Sequence, residues 1–173
     1  TETFRISQLS RAIDDTDASI LGNDSSISLK KELIPNLTVA LDYIINFSNE
    51  LYHPYTNFEG TLTSTEFTFI DDFDVVRQNC KFDDDKGDVR IFRMQDGQKV
   101  IVDALAGTID YNTGRIQLNN FKPESFVGQS LDIKVIPLNS DLKAKNNQII
   151  LINERDVNLS LFDLSTTVED SEV

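Results

Sequence analysis

Few side chains in this sequence carry reactive chemistry, and they are scattered. His53 is the single histidine, beside Pro54 in an aromatic loop with no cysteine near it in sequence. A triad or zinc site there would need carboxylates brought in from elsewhere, so an ordinary loop histidine is expected. Cys80, the single cysteine, would be a nucleophile if a nearby cation or helix N-terminus stabilised its thiolate. Its neighbours Asn79, Lys81 and Phe82 read as strand, which predicts a small buried core residue instead. The best metal-ligating pattern is Asp83-Asp84-Asp85-Lys86-Gly87-Asp88. Calcium takes about six to eight oxygen ligands, but this run lacks the further alternating ligands and the distant bidentate Glu, and Lys86 places a cation inside it. A solvated hairpin turn is expected. With 29 acidic residues a glycosidase-type carboxylate pair is conceivable, yet abundance of acids does not make a pair. Tyr52, Tyr55 and Phe58 are aromatics in a loop rather than in predicted strands. They could line a ligand site, meet another protein, or pack over a sheet edge.

Composition narrows the classes further. The 173 residues suffice for one domain whose core needs neither disulfides nor metal. One cysteine allows no intrachain disulfide, which points to a reducing site of synthesis. No apolar run approaches the ~20 residues that span a bilayer. A net charge of −13 repels phosphate backbones and anionic lipid, so neither nucleic acid nor membrane is an expected partner. The acidic runs at 14–17, 71–74, 83–88 and 169–172 read as solvated turns and a loose tail. The first residue is Thr1 rather than Met, which suggests a chain cut from something longer.

The elements follow from apolar spacing. Ile6, Leu9 and Ile13 share one face of a helix predicted over 3–13, which is too short to stand alone and must pack on the sheet or on a neighbouring chain. Asp17 could cap a short turn after it. From Ile27 the period becomes two. Val39, Leu41, Tyr43, Ile45 and Phe47 are expected on one face of a strand, and Phe67 and Phe69 on one face of another spanning 61–70. Asp96-Gly97 and Asn112-Thr113-Gly114 mark hairpin turns, the latter a three-residue loop. Strands are predicted at 131–135, 148–152 and 157–161. The fold class is therefore α+β, predominantly antiparallel β, with hairpin-rich sheets and a short N-terminal helix. One domain over 1–173 is expected, with a possible sub-boundary near 51–60 and a flexible tail at 166–173.

Three segments carry a resemblance: Ser10-Arg11-Ala12-Ile13-Asp14-Asp15-Thr16-Asp17-Ala18-Ser19-Ile20-Leu21-Gly22-Asn23-Asp24; Ala106-Gly107-Thr108-Ile109-Asp110-Tyr111-Asn112-Thr113-Gly114-Arg115-Ile116; and Val135-Ile136-Pro137, Asp141-Leu142 and Asn146-Asn147-Gln148-Ile149-Ile150. In this order they resemble the C-terminal region of the baseplate wedge subunit of T-even-type contractile-tailed bacteriophages. The resemblance implies a structural virion protein of the tail baseplate, assembled in the bacterial cytoplasm, without catalytic residues or cofactors. Its expected partners are a second copy of itself, as homodimer or ring neighbour, and other baseplate proteins. Tyr52, Tyr55, Phe58, Leu9 and Ile13 are the candidate contact residues. The alternative is a carbohydrate- or calcium-binding β module of a surface protein.

Overall fold

Period-two alternation over most of the chain resolves into antiparallel sheet in the computed structural model, which describes residues 3–143 and 151–160. In chain order the elements are β1 (Thr3–Phe4), α1 (Ile6–Asp14), β2 (Leu29–Leu33), β3 (Leu41–Asn46), β4 (Leu62–Ser64), β5 (Phe67–Ile70) and β6 (Val76–Asp85). There follow β7 (Asp88–Gln95), β8 (Gln98–Asp110), β9 (Arg115–Phe121), β10 (Ser125–Phe126), β11 (Leu131–Val135), β12 (Leu142–Lys143) and a 3-10 turn at Glu154–Asp156. A seven-stranded sheet runs β10-β5-β6-β7-β8-β9-β3, a three-stranded sheet runs β2-β11-β4, and β1 pairs with β12. The fold is α+β and predominantly antiparallel β.

The turns set the registers. Lys86 and Gly87, like Asp96 and Gly97, all have positive φ, as two-residue hairpins require to match strand twist. They pair Asp85 with Asp88 and Gln95 with Gln98. The β8–β9 turn holds four residues rather than the expected three, because Asp110 pairs with Arg115 and leaves Tyr111 in the turn. Gly114, at φ 68, approaches the Asn49 carbonyl so closely that a Cβ would lie 2.2 Å from its oxygen.

The expected strand at 61–70 is two strands. β4 pairs with β11 and β5 with β6, so the chain changes sheets at Thr65-Glu66. That crossing joins the sheets over one core, in which Leu62, Leu131, Ile133 and Val135 of the small sheet meet Phe67, Phe82, Ile91, Ile116, Leu118 and Phe121 of the large one. β2 and β3, which precede the 51–60 loop, pair with β11 and β9 beyond it.

Several expectations need correction. Residues 3–4 are strand, and the helix is Ile6–Asp14, with no buried residue and with Leu9 37% exposed. Asn23 ties it down by donating to the Ser10 carbonyl and the Asp14 carboxylate, at 3.0 and 2.6 Å. Tyr43, Ile45 and Phe47 face inward as predicted, but Val39 and Leu41 are exposed. Val39 precedes the strand, and its backbone N–H donates to Asn36 Oδ1; Leu41 begins a strand that, among the described residues, has a neighbour on one side only. Val157–Ser160 forms no strand. Most of the strand predicted at 148–152 and the tail at 166–173 lie outside the described residues.

Gly107 marks the tightest approach between β8 and β9. A Cβ there would stand 2.0 Å from the Gln117 carbonyl oxygen and 3.0 Å from Leu118 Cα, both backbone atoms. Gly107→Ala is expected to cost about 1–3 kcal/mol through overpacking, measured by urea unfolding. An unchanged midpoint would mean that β9 yields freely.

Candidate functional site

The loop from Tyr52 to Gly60 is pinned at both ends. Leu51 N–H donates to the Tyr111 carbonyl, Tyr52 N–H to the Ile136 carbonyl, and the fully buried Thr61 hydroxyl to the Tyr52 carbonyl, at 2.7, 2.9 and 2.6 Å. Between these anchors the aromatics gather on Phe58. Tyr52 and Tyr55 meet its ring edge-to-face, with centroids 5.3 and 5.6 Å away. Edge-to-face pairs of this spacing contribute beyond their buried area. Phe58 is half-buried, whereas Tyr52 and Tyr55 are 39% and 63% exposed.

His53 is the link inward. Its ring stacks on Tyr111 at 3.8 Å and 8°. The Tyr111 hydroxyl donates to Asp84 Oδ2 at 2.9 Å and accepts from Gly87 N–H at 3.2 Å, and Asp84 Oδ1 accepts from Leu62 N–H at 2.7 Å. Burial, and then the neighbouring Asp84 carboxylate, push the Tyr111 phenol well above its ordinary range, so it stays a neutral donor. Removing that hydroxyl in Tyr111→Phe leaves a carboxylate oxygen of the fully buried Asp84 and the Gly87 N–H short of a partner. A loss of about 1–3 kcal/mol is expected, read from thermal or urea unfolding. No change would mean that water replaces the hydroxyl.

The acidic run is not the solvated turn that its composition suggests. Asp83 and Asp84 are buried. The register of the β6–β7 hairpin sets Arg90 directly across from Asp83. Arg90 clasps both Asp83 oxygens, Nε to Oδ1 at 3.1 Å and Nη2 to Oδ2 at 2.7 Å, and reaches Asp85 with Nη1 at 2.9 Å. Lys99 contacts Asp83, and Glu59 from the aromatic loop bridges Lys99 and Arg90 at 2.9 and 3.1 Å. The Lys99 bond, opposed by partial burial, holds the Glu59 carboxyl below its ordinary range. Burial works against the Lys99 ammonium, but Asp83 and Glu59 outweigh it and raise its pKa. A cation at this turn would have to displace Arg90 and Lys99 from these carboxylates. Among the described residues no group of three or more His, Cys, Asp or Glu side chains is placed to hold a metal ion. The 71–74 run is an exposed turn over 72–74, as read, and only Asp71 departs from that: it is buried, accepting from Phe73 and Val75 N–H and from Arg77 Nε.

The remaining candidates are dispersed. Cys80 is fully buried in the core, as predicted, and desolvation raises its thiol pKa. A groove of about 430 Å³ is lined by Thr63, Glu66, Asn79, Lys81, Phe92 and Met94 and shares no lining residue with the aromatic loop. Its opposed charges, Lys81 and Glu66, pair at 3.2 Å. Of the candidate contact residues, Tyr52, Tyr55 and Phe58 form one cluster, while Leu9 and Ile13 belong to α1, which is tied to Asn23 instead. What the arrangement offers is an aromatic surface on a rigid mount of hydrogen bonds and ion pairs. Among the described residues no helix is long and apolar enough to cross a membrane. Comparison with family models, with curated proteins and with solved structures finds no match.

Proposed function

We propose that this chain is a structural assembly module that works by self-association rather than by catalysis. In this reading it is the C-terminal part of a tail-baseplate wedge subunit, joins neighbouring wedges into the ring, and resides in the virion. One observation carries the self-association: among the described residues no strand pairs with the outer side of β3 or β10 at the two ends of the seven-stranded sheet, and large apolar side chains stand exposed beside them, Ile44 at 63% near the β3 end and Val127 at 81% near the β10 end. Unpaired strand edges offer rows of backbone donors and acceptors to another chain, and monomers ordinarily protect them. The aromatic cluster adds a second surface of the kind enriched in protein contacts. The baseplate assignment is supported by the three ordered segments described above.

Light scattering at tens of micromolar should give a mass of at least two chains. A mass of one chain up to ~100 μM, where any dimer with a dissociation constant in the micromolar range would be populated, overturns the reading. Antibody raised against the chain should label tail ends in electron micrographs of virions. Labelling confined to other particles or to none would remove the baseplate assignment.

A further inference from the structure

We infer that the free edge of β3 pairs antiparallel with β3 of a second copy, across a two-fold axis through Ile44. This deepens, and rests on, the self-association reading. Among the described residues β3 ends the strand order and its one strand neighbour is β9. Phe47 N–H donates toward β9, to the Gly114 carbonyl at 2.9 Å. Alternation then turns the backbone groups of Tyr43 and Ile45 toward β9 and those of Asp42, Ile44 and Asn46 outward. The edge is lightly protected: Leu41–Asn46 contains no proline and no lysine, and Asp42 is its one charged residue. The irregularity between Leu41 and Tyr43 places the extra residue on β9, since Leu41 pairs with Phe121 and Tyr43 with Leu118. Ile34, Leu37, Val39, Leu41 and Ile44 are all exposed along this stretch, at 74, 44, 55, 44 and 63%.

Charge selects the occupant and the register. Two copies of a −13 chain repel each other over most of their surfaces, yet Ile34–Phe47 carries a single charged residue, Asp42. That carboxylate already accepts from Asn120 N–H at 2.8 Å. An axis through Ile44 sets Asp42 opposite the partner's Asn46. Asn46 Oδ1 is occupied by Ser48 N–H at 2.9 Å, which turns its amide N–H groups into the available donors. An axis through Asp42 would instead oppose two carboxylates, and one through Asn46 would bring Asp42 opposite Glu50. Like charges directly opposed across strands are destabilising. The Ile44 register avoids both conflicts, overlaps the whole strand and buries the two Ile44 side chains against each other.

Three variants of the full chain test this. Ile44→Pro removes an outward N–H that has no hydrogen-bond partner among the described residues, and an edge strand tolerates proline. Ile44→Asp sets two carboxylates face to face. Both should raise the dimer dissociation constant, measured by analytical ultracentrifugation, at least about 100-fold, the equivalent of two factors of 1.4 kcal/mol. Ile44→Cys should give a disulfide-linked dimer on mild oxidation, because directly opposed hydrogen-bonded residues lie ~5.5 Å apart at Cα, within disulfide range. Leu105→Cys, 70% exposed on β8, should not. A wild-type chain that stays monomeric overturns this inference together with the self-association reading. A wild-type dimer that keeps its affinity in both edge variants, or in which Ile44→Cys fails to cross-link, overturns the β3 interface alone. Should either edge variant fail to fold, the Cys pair decides.

Discussion

Arg90→Ala is expected to unfold at markedly lower urea than the wild type, with a loss of about 3–5 kcal/mol. Its guanidinium is only 12% exposed and faces Asp83 at 5%. Truncation removes two bonds to Asp83, one to Asp85 and one to Glu59 while those carboxylates remain. Lys99 alone cannot neutralise three acids. The cost therefore comes less from lost attraction than from buried charge left without a partner. The control is Arg90→Met with Asp83→Leu, which removes both charges and should recover most of the loss. If Arg90→Ala costs less than about 1 kcal/mol, the value of an exposed ion pair, then water reaches Asp83 in its place.

The same network sets a pH window. The folded Glu59 pKa lies below its ordinary 4.5, so its contribution is present above pH 4.5 and disappears as pH falls through the folded value. The folded Lys99 pKa lies above its ordinary 10.5, so its contribution is present below pH 10.5 and disappears as pH rises through the folded value. Stability should be level between those limits as far as these two groups are concerned. Glu59→Gln should flatten the acid side and, because Glu59 also helps to raise the Lys99 pKa, weaken the alkaline dependence as well.

Which parts of this were legible in the sequence follows from how local the deciding forces are. Hairpin turns are set by neighbouring residues, and Lys86-Gly87 and Asp96-Gly97 fall where glycine and turn-formers predict. β11 was readable to the residue because Leu131, Ile133 and Val135 alternate with Asp132 and Lys134. The switch of sheets at Thr65-Glu66 was not, because nothing local distinguishes a straight strand from one whose halves find different partners. The burial of the acidic run, by contrast, is encoded locally. A two-residue turn at Lys86-Gly87 fixes Asp83 opposite Arg90, so the pair follows from the turn and simple counting. Glu59 and Lys99, 40 residues apart, had no such signal. Nor could spacing reveal that Tyr111 lies beneath His53, since that stack depends on where the 51–60 loop is pinned.

Phe121→Ala should match the Arg90 loss by a different route and also separate folding from assembly. Phe121 is 2% exposed, with ring centroids of Phe82, Phe67, Tyr43 and Phe69 at 5.0, 5.3, 6.3 and 6.4 Å. Truncating a buried Phe costs about 3–5 kcal/mol, partly transfer and partly cavity. Phe82, fully buried in the same cluster, should cost a similar amount on truncation. The two differ in what stands beside them. Phe121 pairs with Leu41 and packs on Tyr43, both in β3, whereas Phe82 lies on β6 and pairs with Ile91. A cavity at Phe121 opens directly against the strand whose free edge is proposed to meet its copy, whereas one at Phe82 reaches that strand only through Phe121. Under conditions where both variants remain folded, Phe121→Ala should therefore weaken dimerisation more than Phe82→Ala does. Equal dimer affinities at equal stability loss would show that β3 does not transmit the defect, and the contact between copies would then have to be sought at another edge.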